Sequence, residues 1–327
     1  MLQILIEQKG GIKMNTRTKF TWMIFSCFFS LMHFNVDAKT LIHAGKLIDG
    51  KSDQVYSRMS IVIEGNLIED VREGFLSAND YEKYIDLSNH TVMPGLMDMH
   101  VHFGGEYQSK AEAPLKVERE MEAILATQHA VVTFKSGFTT VRQVGDSGLV
   151  AISLRDAINA GKVVGPRIFA AGKTIATTGG HADPTNGKAL YDYSYPVPEQ
   201  GVVNGPYEVY AAVRQRYKDG ADGIKITVTG GVLSQAKSGD NPQFTQEEVD
   251  AVVSAAKDYG MWVAVHAHGA EGMKRAIKAG VDSIEHGTFM DDEAMDLMIE
   301  NGTYYVPTIS AGEFVAEKAK IDNFFPE

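Results

Sequence analysis

Trp262-Val263-Ala264-Val265-His266 and, twenty residues on, Ser283-Ile284-Glu285-His286 decide how this chain is read. Each is a short run that closes on a histidine, and each follows a helical stretch stopped by glycine, at Tyr259-Gly260 and at Ala279-Gly280. Glycine ends a helix by taking the left-handed conformation just beyond its last turn. The same unit recurs along the chain. Lys135-Ser136-Gly137 precedes Phe138-Thr139-Thr140-Val141, Asp219-Gly220 precedes Ile224-Lys225-Ile226-Thr227-Val228, and Asn301-Gly302 precedes Thr303-Tyr304-Tyr305-Val306-Pro307. Strands are therefore expected at 96–100, 139–145, 166–171, 222–229, 261–266, 283–286 and 303–308. Several are nearly apolar throughout, as parallel strands covered on both faces should be. Seven helix-and-strand units in the 95–327 region predict an α/β fold, a (β/α)8 TIM barrel that lacks its eighth strand. Only 19 residues follow Thr308, so a truncated C-terminus is expected. An open doubly wound sheet is the alternative that periodicity alone leaves standing.

Upstream the texture differs. Residues 39–94 carry short apolar runs, Leu41 to Ile48 and Met59 to Ile68, broken by Gly and Asn, with Asp86-Leu87-Ser88 and Thr91-Val92-Met93 completing them. They predict a small N-terminal β domain, a β-sandwich part, built from hairpins and left through Pro94-Gly95. Residues 1–38 read as an upstream extension and a signal peptide. Arg17 and Lys19 precede the apolar run Phe20 to Met32, and Val36-Asp37-Ala38 supplies small residues for cleavage near Ala38. The start would then be Met14 and the product secreted or periplasmic, with lipoprotein anchoring at Cys27 the weaker reading. The run is too short for a comfortable membrane span, so the mature chain is expected to have none.

Of 327 residues, 44% are hydrophobic and 22% charged, an ordinary globular composition. A net charge of −11 argues against a nucleic-acid partner. Cys27 is the single cysteine, so after cleavage neither a disulfide nor thiol chemistry is available. A transition-metal site must use histidine and carboxylate-like ligands.

Histidines supply them. His100-Val101-His102 sits at the end of the first strand, and residues i and i+2 of a strand share a face. His266 and His286 end two further strands. Active sites of (β/α)8 barrels lie at that end, which makes a ligand cluster the economical reading over separate structural roles. Lys225 interrupts an otherwise apolar strand. It is either an edge-strand lysine reaching for water or a buried amine that carries CO2 as a carbamate, for which burial favours the needed neutral form.

Met93-Pro94-Gly95-Leu96-Met97-Asp98-Met99-His100-Val101-His102 resembles the first-strand signature of the metal-dependent amidohydrolase superfamily. Thr178-Gly179-Gly180-His181 and Val265-His266-Ala267-His268-Gly269 resemble its imidazolonepropionase-related peptidases, the Xaa-Pro dipeptidase and zinc-dependent arginine carboxypeptidase-like group. That resemblance implies two divalent ions, zinc by its usual ligands. It places His100 and His102 on one, His266 and His286 on the other, and N-carboxylated Lys225 between them. It also implies an Asp at the end of strand eight as ligand and proton shuttle, a position the sequence does not reach.

The expected reaction is hydrolysis of a C–N amide bond in a dipeptide or N-acyl amino acid by a hydroxide bridging the metals. Xaa-Pro and Xaa-Arg or Xaa-Lys dipeptides lead as substrates. Cyclic amides, carbamates and amide toxins are the alternative, as is an impaired metal or small-molecule binding fragment. His181 and His268 are expected near the reacting atoms as catalytic or substrate-contacting groups, with loop-fixing or outer-sphere roles the alternatives. Arg142 is a candidate for the substrate carboxylate, with a structural salt bridge equally open. Tyr191, in the long 181–207 loop, is a candidate pocket wall. A small peptide-like partner is expected, and a homo-oligomer is compatible with all of this.

Overall fold

The computed structural model describes residues 39–105, 119–146, 148–186, 195–231, 234, 238–322 and 324–325. The expected leader, with Cys27 and Ala38, lies outside them, as does Tyr191. The chain divides into two compact units, one ending at Pro94 and the other beginning at Gly95.

In the first unit four strands, β1 (Lys39–Ile48), β2 (Val55–Glu64), β3 (Leu67–Glu73) and β4 (Lys83–Val92), form one sheet in the order β3-β2-β1-β4. The β2–β3 hairpin turns at Gly65-Asn66, where the sequence is punctuated. β4 returns to lie parallel to β1. Among the described residues of 39–94 these strands form a single mixed sheet. One buried cluster of Ala44, Leu47, Met59 and Ile61 holds it.

The second unit alternates strand and helix: β5 (Leu96–Val101), α1 (Arg119–Lys135), β6 (Phe138–Gln143), α2 (Val150–Asn159) and β7 (Arg167–Ala170). A two-residue ladder follows, β8 (Ala176–Thr177) with β9 (Val202–Val203). Then come α3 (Pro206–Lys218), β10 (Gly223–Thr227), α4 (Gln246–Asp258), β11 (Trp262–Gly269), α5 (Ala270–Ala279), β12 (Ser283–Phe289), α6 (Asp292–Asn301), β13 (Tyr304–Val306) and α7 (Ile309–Lys318). All seven expected strands are present. β5-β6-β7 and β10-β11-β12-β13 are parallel sheets in chain order. They are joined by a parallel bridge between Ile175 and Ile226 and by Asp222 N–H donating to the Ala170 carbonyl.

A doubly wound sheet reverses its strand order at a switch point. No reversal occurs within either parallel sheet, an order consistent with the expected (β/α)8-type fold. An eighth strand is not among the described residues. Ile224, Ile226, Val263, Val265 and Ile284 pack beneath Val249, Val252, Met273 and Ile277 of the covering helices. Burying one such side chain fully is worth about 1.5–3 kcal/mol, so the strand ends are carried on a rigid base. Among the described residues no helix is long and apolar enough to cross a membrane.

Candidate metal centre

Strand alternation aims the site. His100 and His102 follow one another by two at the end of β5, and their Nε2 atoms lie 3.2 Å apart. His266 and His268 do the same on β11, with ring centroids 4.8 Å apart. β12 breaks the rule. Consecutive strand residues point to opposite faces, yet Glu285 and His286 both turn inward. The backbone at His286 is left-handed (φ 73°), followed by Gly287 (φ 59°). A β-carbon at Gly287 would lie 2.7 Å from the Tyr305 ring. Tyr305 O–H donates to the His286 carbonyl at 3.0 Å and holds this sparsely populated conformation.

The rings form one connected group. His286 lies 5.0 Å from His100, 4.7 Å from His266 and 5.1 Å from His268, centroid to centroid. His181, beyond β8, stacks on His266 at 4.2 Å. Lys225 from β10 joins them, and all seven side chains line a cavity of about 770 Å³. Its other walls include Val144, Val306, Pro307, Ile309, Val315 and Ala316.

Five of these histidines have one nitrogen tied outward. His100 Nδ1–H donates to Glu285 at 2.8 Å, His102 Nδ1–H to the Gly145 carbonyl at 2.9 Å, and His266 Nε2–H to the Gly230 carbonyl at 2.9 Å. His286 Nδ1 shares a hydrogen bond with Thr308 Oγ1, and His268 Nδ1 with Thr288 Oγ1. Such outer partners fix the tautomer of a metal-binding histidine and leave its other nitrogen for the ion. Burial, with the Lys225 charge adding to it, drives His286 down to about 2. Burial also takes His100 and His181 to about 4, against the Glu285 bond in the case of His100. His266 is pushed well below its ordinary value by burial and by its histidine and lysine neighbours. Neutral imidazoles are the form that binds a metal.

Lys225 Nζ and His181 Nδ1 are buried without a hydrogen-bond partner. Burial brings the Lys225 amine down to about 8. An orphaned buried donor costs about 1–3 kcal/mol or more, which a bound ion and its bridging ligand would relieve. Among the described residues, no three His, Cys, Asp or Glu side chains stand arranged to hold a metal ion. The donor set nevertheless fits. Two nitrogens on one tetrahedral zinc, each at about 2.0–2.1 Å, stand about 3.3 Å apart, close to the His100–His102 separation.

Arg142 goes elsewhere. It is buried and is not among the cavity walls. Its Nε donates to the Met99 carbonyl, Nη1 to Ser283 Oγ and Nη2 to Glu285 Oε1 at 2.5 Å. Of the two readings, the structure gives the salt bridge, with three of the guanidinium's donors engaged inside the protein. Glu285, fully buried, was the residue that sequence reading passed over. Burial alone would raise its carboxyl, but the His100 hydrogen bond with the Lys225 and Arg142 charges holds it at about 2. A charged residue in the run Ser283-Ile284-Glu285-His286 was the available signal.

The histidines and Lys225 thus meet at one cavity at the C-terminal ends of parallel strands. The chain is a member of the amidohydrolase family, which it matches over residues 91–324. A crystallised Xaa-Pro dipeptidase with methionine bound in its active site is 89% identical, with a TM-score of 0.87, covering 88% of this chain and 71% of that one. A crystallised prolidase complexed with N-methylphosphonate-L-proline is 31% identical, with a TM-score of 0.78, covering 88% and 70%. Ochratoxinase of Aspergillus niger is 32% identical over 293 residues, 84% of this chain. The chain spans 59% of the length of that curated relative.

Proposed function

We propose that the protein hydrolyses the amide bond of a small peptide-like substrate, an Xaa-Pro dipeptide before others, with two divalent metal ions. The observation that carries this reading is the convergence of His100, His102, Lys225, His266 and His286 on one cavity. His100 and His102 would hold one ion and His266 and His286 the other. Lys225, as its carbamate, would lie between them; its buried and unpartnered amine supports that assignment. Zinc suits this nitrogen and oxygen donor set. When bound, such ions polarise a carbonyl and supply an activated water at neutral pH.

The chain's own residues do the rest. His181, with its free buried Nδ1, is placed to meet the carbonyl oxygen of the scissile amide. His268, fixed by Thr288, faces the same space from the other side of His266. Val144, Val306, Pro307, Ile309 and Val315 offer an apolar, water-excluding surface to a proline ring or an aliphatic side chain. Asp98 is the one carboxylate among the described cavity walls, and it already accepts from the His100 N–H at 3.0 Å. The apolar walls and the similarity to an Xaa-Pro dipeptidase and a prolidase rank Xaa-Pro above Xaa-Arg.

A second reading, hydrolysis of a bulkier amide, draws on the similarity to ochratoxinase and on the size of the cavity. Export with cleavage near Ala38 belongs to the same proposal, and N-terminal sequencing of the secreted product tests it. The activity is tested by kcat/KM on Xaa-Pro, Xaa-Leu and Xaa-Arg dipeptides, N-acyl amino acids and ochratoxin A, with bound metal quantified. Highest kcat/KM on an Xaa-Pro substrate, lost on chelation, is the expected result. Equal turnover by chelated protein would overturn the metal reading, and preference for Xaa-Arg would overturn the substrate.

A further inference from the structure

Five hydrogen bonds meet in a place that amide hydrolysis does not by itself require. Glu285 Oε2 accepts from His100 Nδ1–H at 2.8 Å. Glu285 Oε1 accepts from Arg142 Nη2 at 2.5 Å and from Ser283 Oγ at 2.6 Å. Arg142 Nη1 donates to that same Ser283 oxygen, and its Nε to the carbonyl of Met99, the residue before His100. The Trp262 ring lies 5.3 Å from the guanidinium carbon. Three strands, β5, β6 and β12, thus share one hydrogen-bond network, with a β11 ring against it.

We propose that Glu285 is the positioning residue for His100, held in place by Arg142 and Ser283, and that this buttress acts on one of the two metals only. The inference rests on the metal reading above. The asymmetry comes from the acceptors. His102 and His266 each lean on a neutral backbone carbonyl and His286 on a hydroxyl. In the described cluster His100 alone leans on a carboxylate. A charge-assisted bond fixes the Nδ1–H tautomer more firmly than a neutral one. It also raises the basicity of the opposite nitrogen, Nε2, which faces His102. A buried carboxylate left with one partner would be costly, so Arg142 is needed where it stands, although it touches neither the cavity nor a substrate. No bond is made or broken here; the network orients a ring.

The test is Glu285→Gln in the whole chain, which keeps size and removes charge. Zinc binding to the apo-protein is followed by competition with a chromogenic chelator, and the His100 ring by 1H–15N NMR of the apo-protein. One of two binding steps should weaken about 10–100-fold, the usual cost of losing an outer-sphere partner, while the other holds. The downfield His100 Nδ1–H resonance should be present in the unaltered protein and shift upfield or vanish in the variant. Ser283→Ala, which deletes one bond of three to Glu285, should show the same selectivity at smaller size and serves if Glu285→Gln does not fold. Both zinc steps weakening alike would overturn the proposal, as would an unchanged His100 resonance. If the unaltered protein took up no zinc, the hydrolase reading would fall; the NMR result would still decide whether Glu285 sets the His100 tautomer.

Discussion

Two kinds of buried histidine stand in this molecule, one in each unit. In the N-terminal sheet His43 Nε2–H donates to the Leu76 carbonyl at 3.0 Å, and Nδ1 accepts from Tyr84 O–H at 2.9 Å. Phe75 stacks on its face at 4.5 Å. Both nitrogens are used, so the ring is finished as a structural part. At the strand ends of the second unit His100, His266 and His286 each spend one nitrogen on the protein and keep the other for the cavity. Burial is common to both regions. What separates a packing histidine from a working one is the second nitrogen.

The largest expected effect comes from removing that second nitrogen. His266→Ala should lower metal content and cut activity by more than the about 100-fold that loss of an outer partner costs. Lys225→Met should do likewise while leaving the denaturant midpoint unchanged or higher, because an unpartnered buried amine is exchanged for an apolar chain of similar volume. A stability loss without a metal loss at either position would erase the contrast.

His43→Ala should behave in the opposite way. It removes two hydrogen bonds and the stacking with Phe75, each bond worth about 0.5–1.5 kcal/mol, readable by urea unfolding, with metal content and kcat/KM intact.

Acid sharpens the comparison further. Unfolded, the imidazoles of His100 and His181 take up a proton near pH 6.5, but in the folded apo-protein burial delays this to about pH 4. Between those values the unfolded chain binds more protons, so stability falls as pH drops from 6.5 toward 4. Thermal melts of apo-protein across that window should lose several degrees, about 2–4 °C per kcal/mol for a domain of this size. A flat profile would mean that these rings titrate as exposed ones do.

The smallest effect is expected at Tyr305→Phe. It removes one donor to the strained His286 carbonyl, worth about 0.5–1.5 kcal/mol, and should loosen metal binding only slightly by the same titration.

Much of this was legible in the chain itself. Glycine-stopped helices and apolar runs repeat locally, and the seven strands followed from them, with Gly280 and Gly302 taking the left-handed cap. The histidines were visible because each closes a run. Non-local features were not. β4 pairs parallel with β1 through a return across the sheet that hairpin signals do not encode. Glu285 meets His100 across 185 residues of sequence, and strand alternation assigns it the face opposite His286; only the left-handed turn at His286 brings the two together. Arg142 carried two equal readings because a guanidinium looks the same in sequence whether it faces a substrate or a neighbouring carboxylate.

Anomalous X-ray diffraction from zinc-loaded crystals tests the central claim most directly. The account predicts two peaks, one against the Nε2 atoms of His100 and His102 and one against His266 and His286, with density for a carbamate on Lys225 between them. Zinc found only at surface sites, with these five side chains packed against one another as a closed cluster, would contradict it.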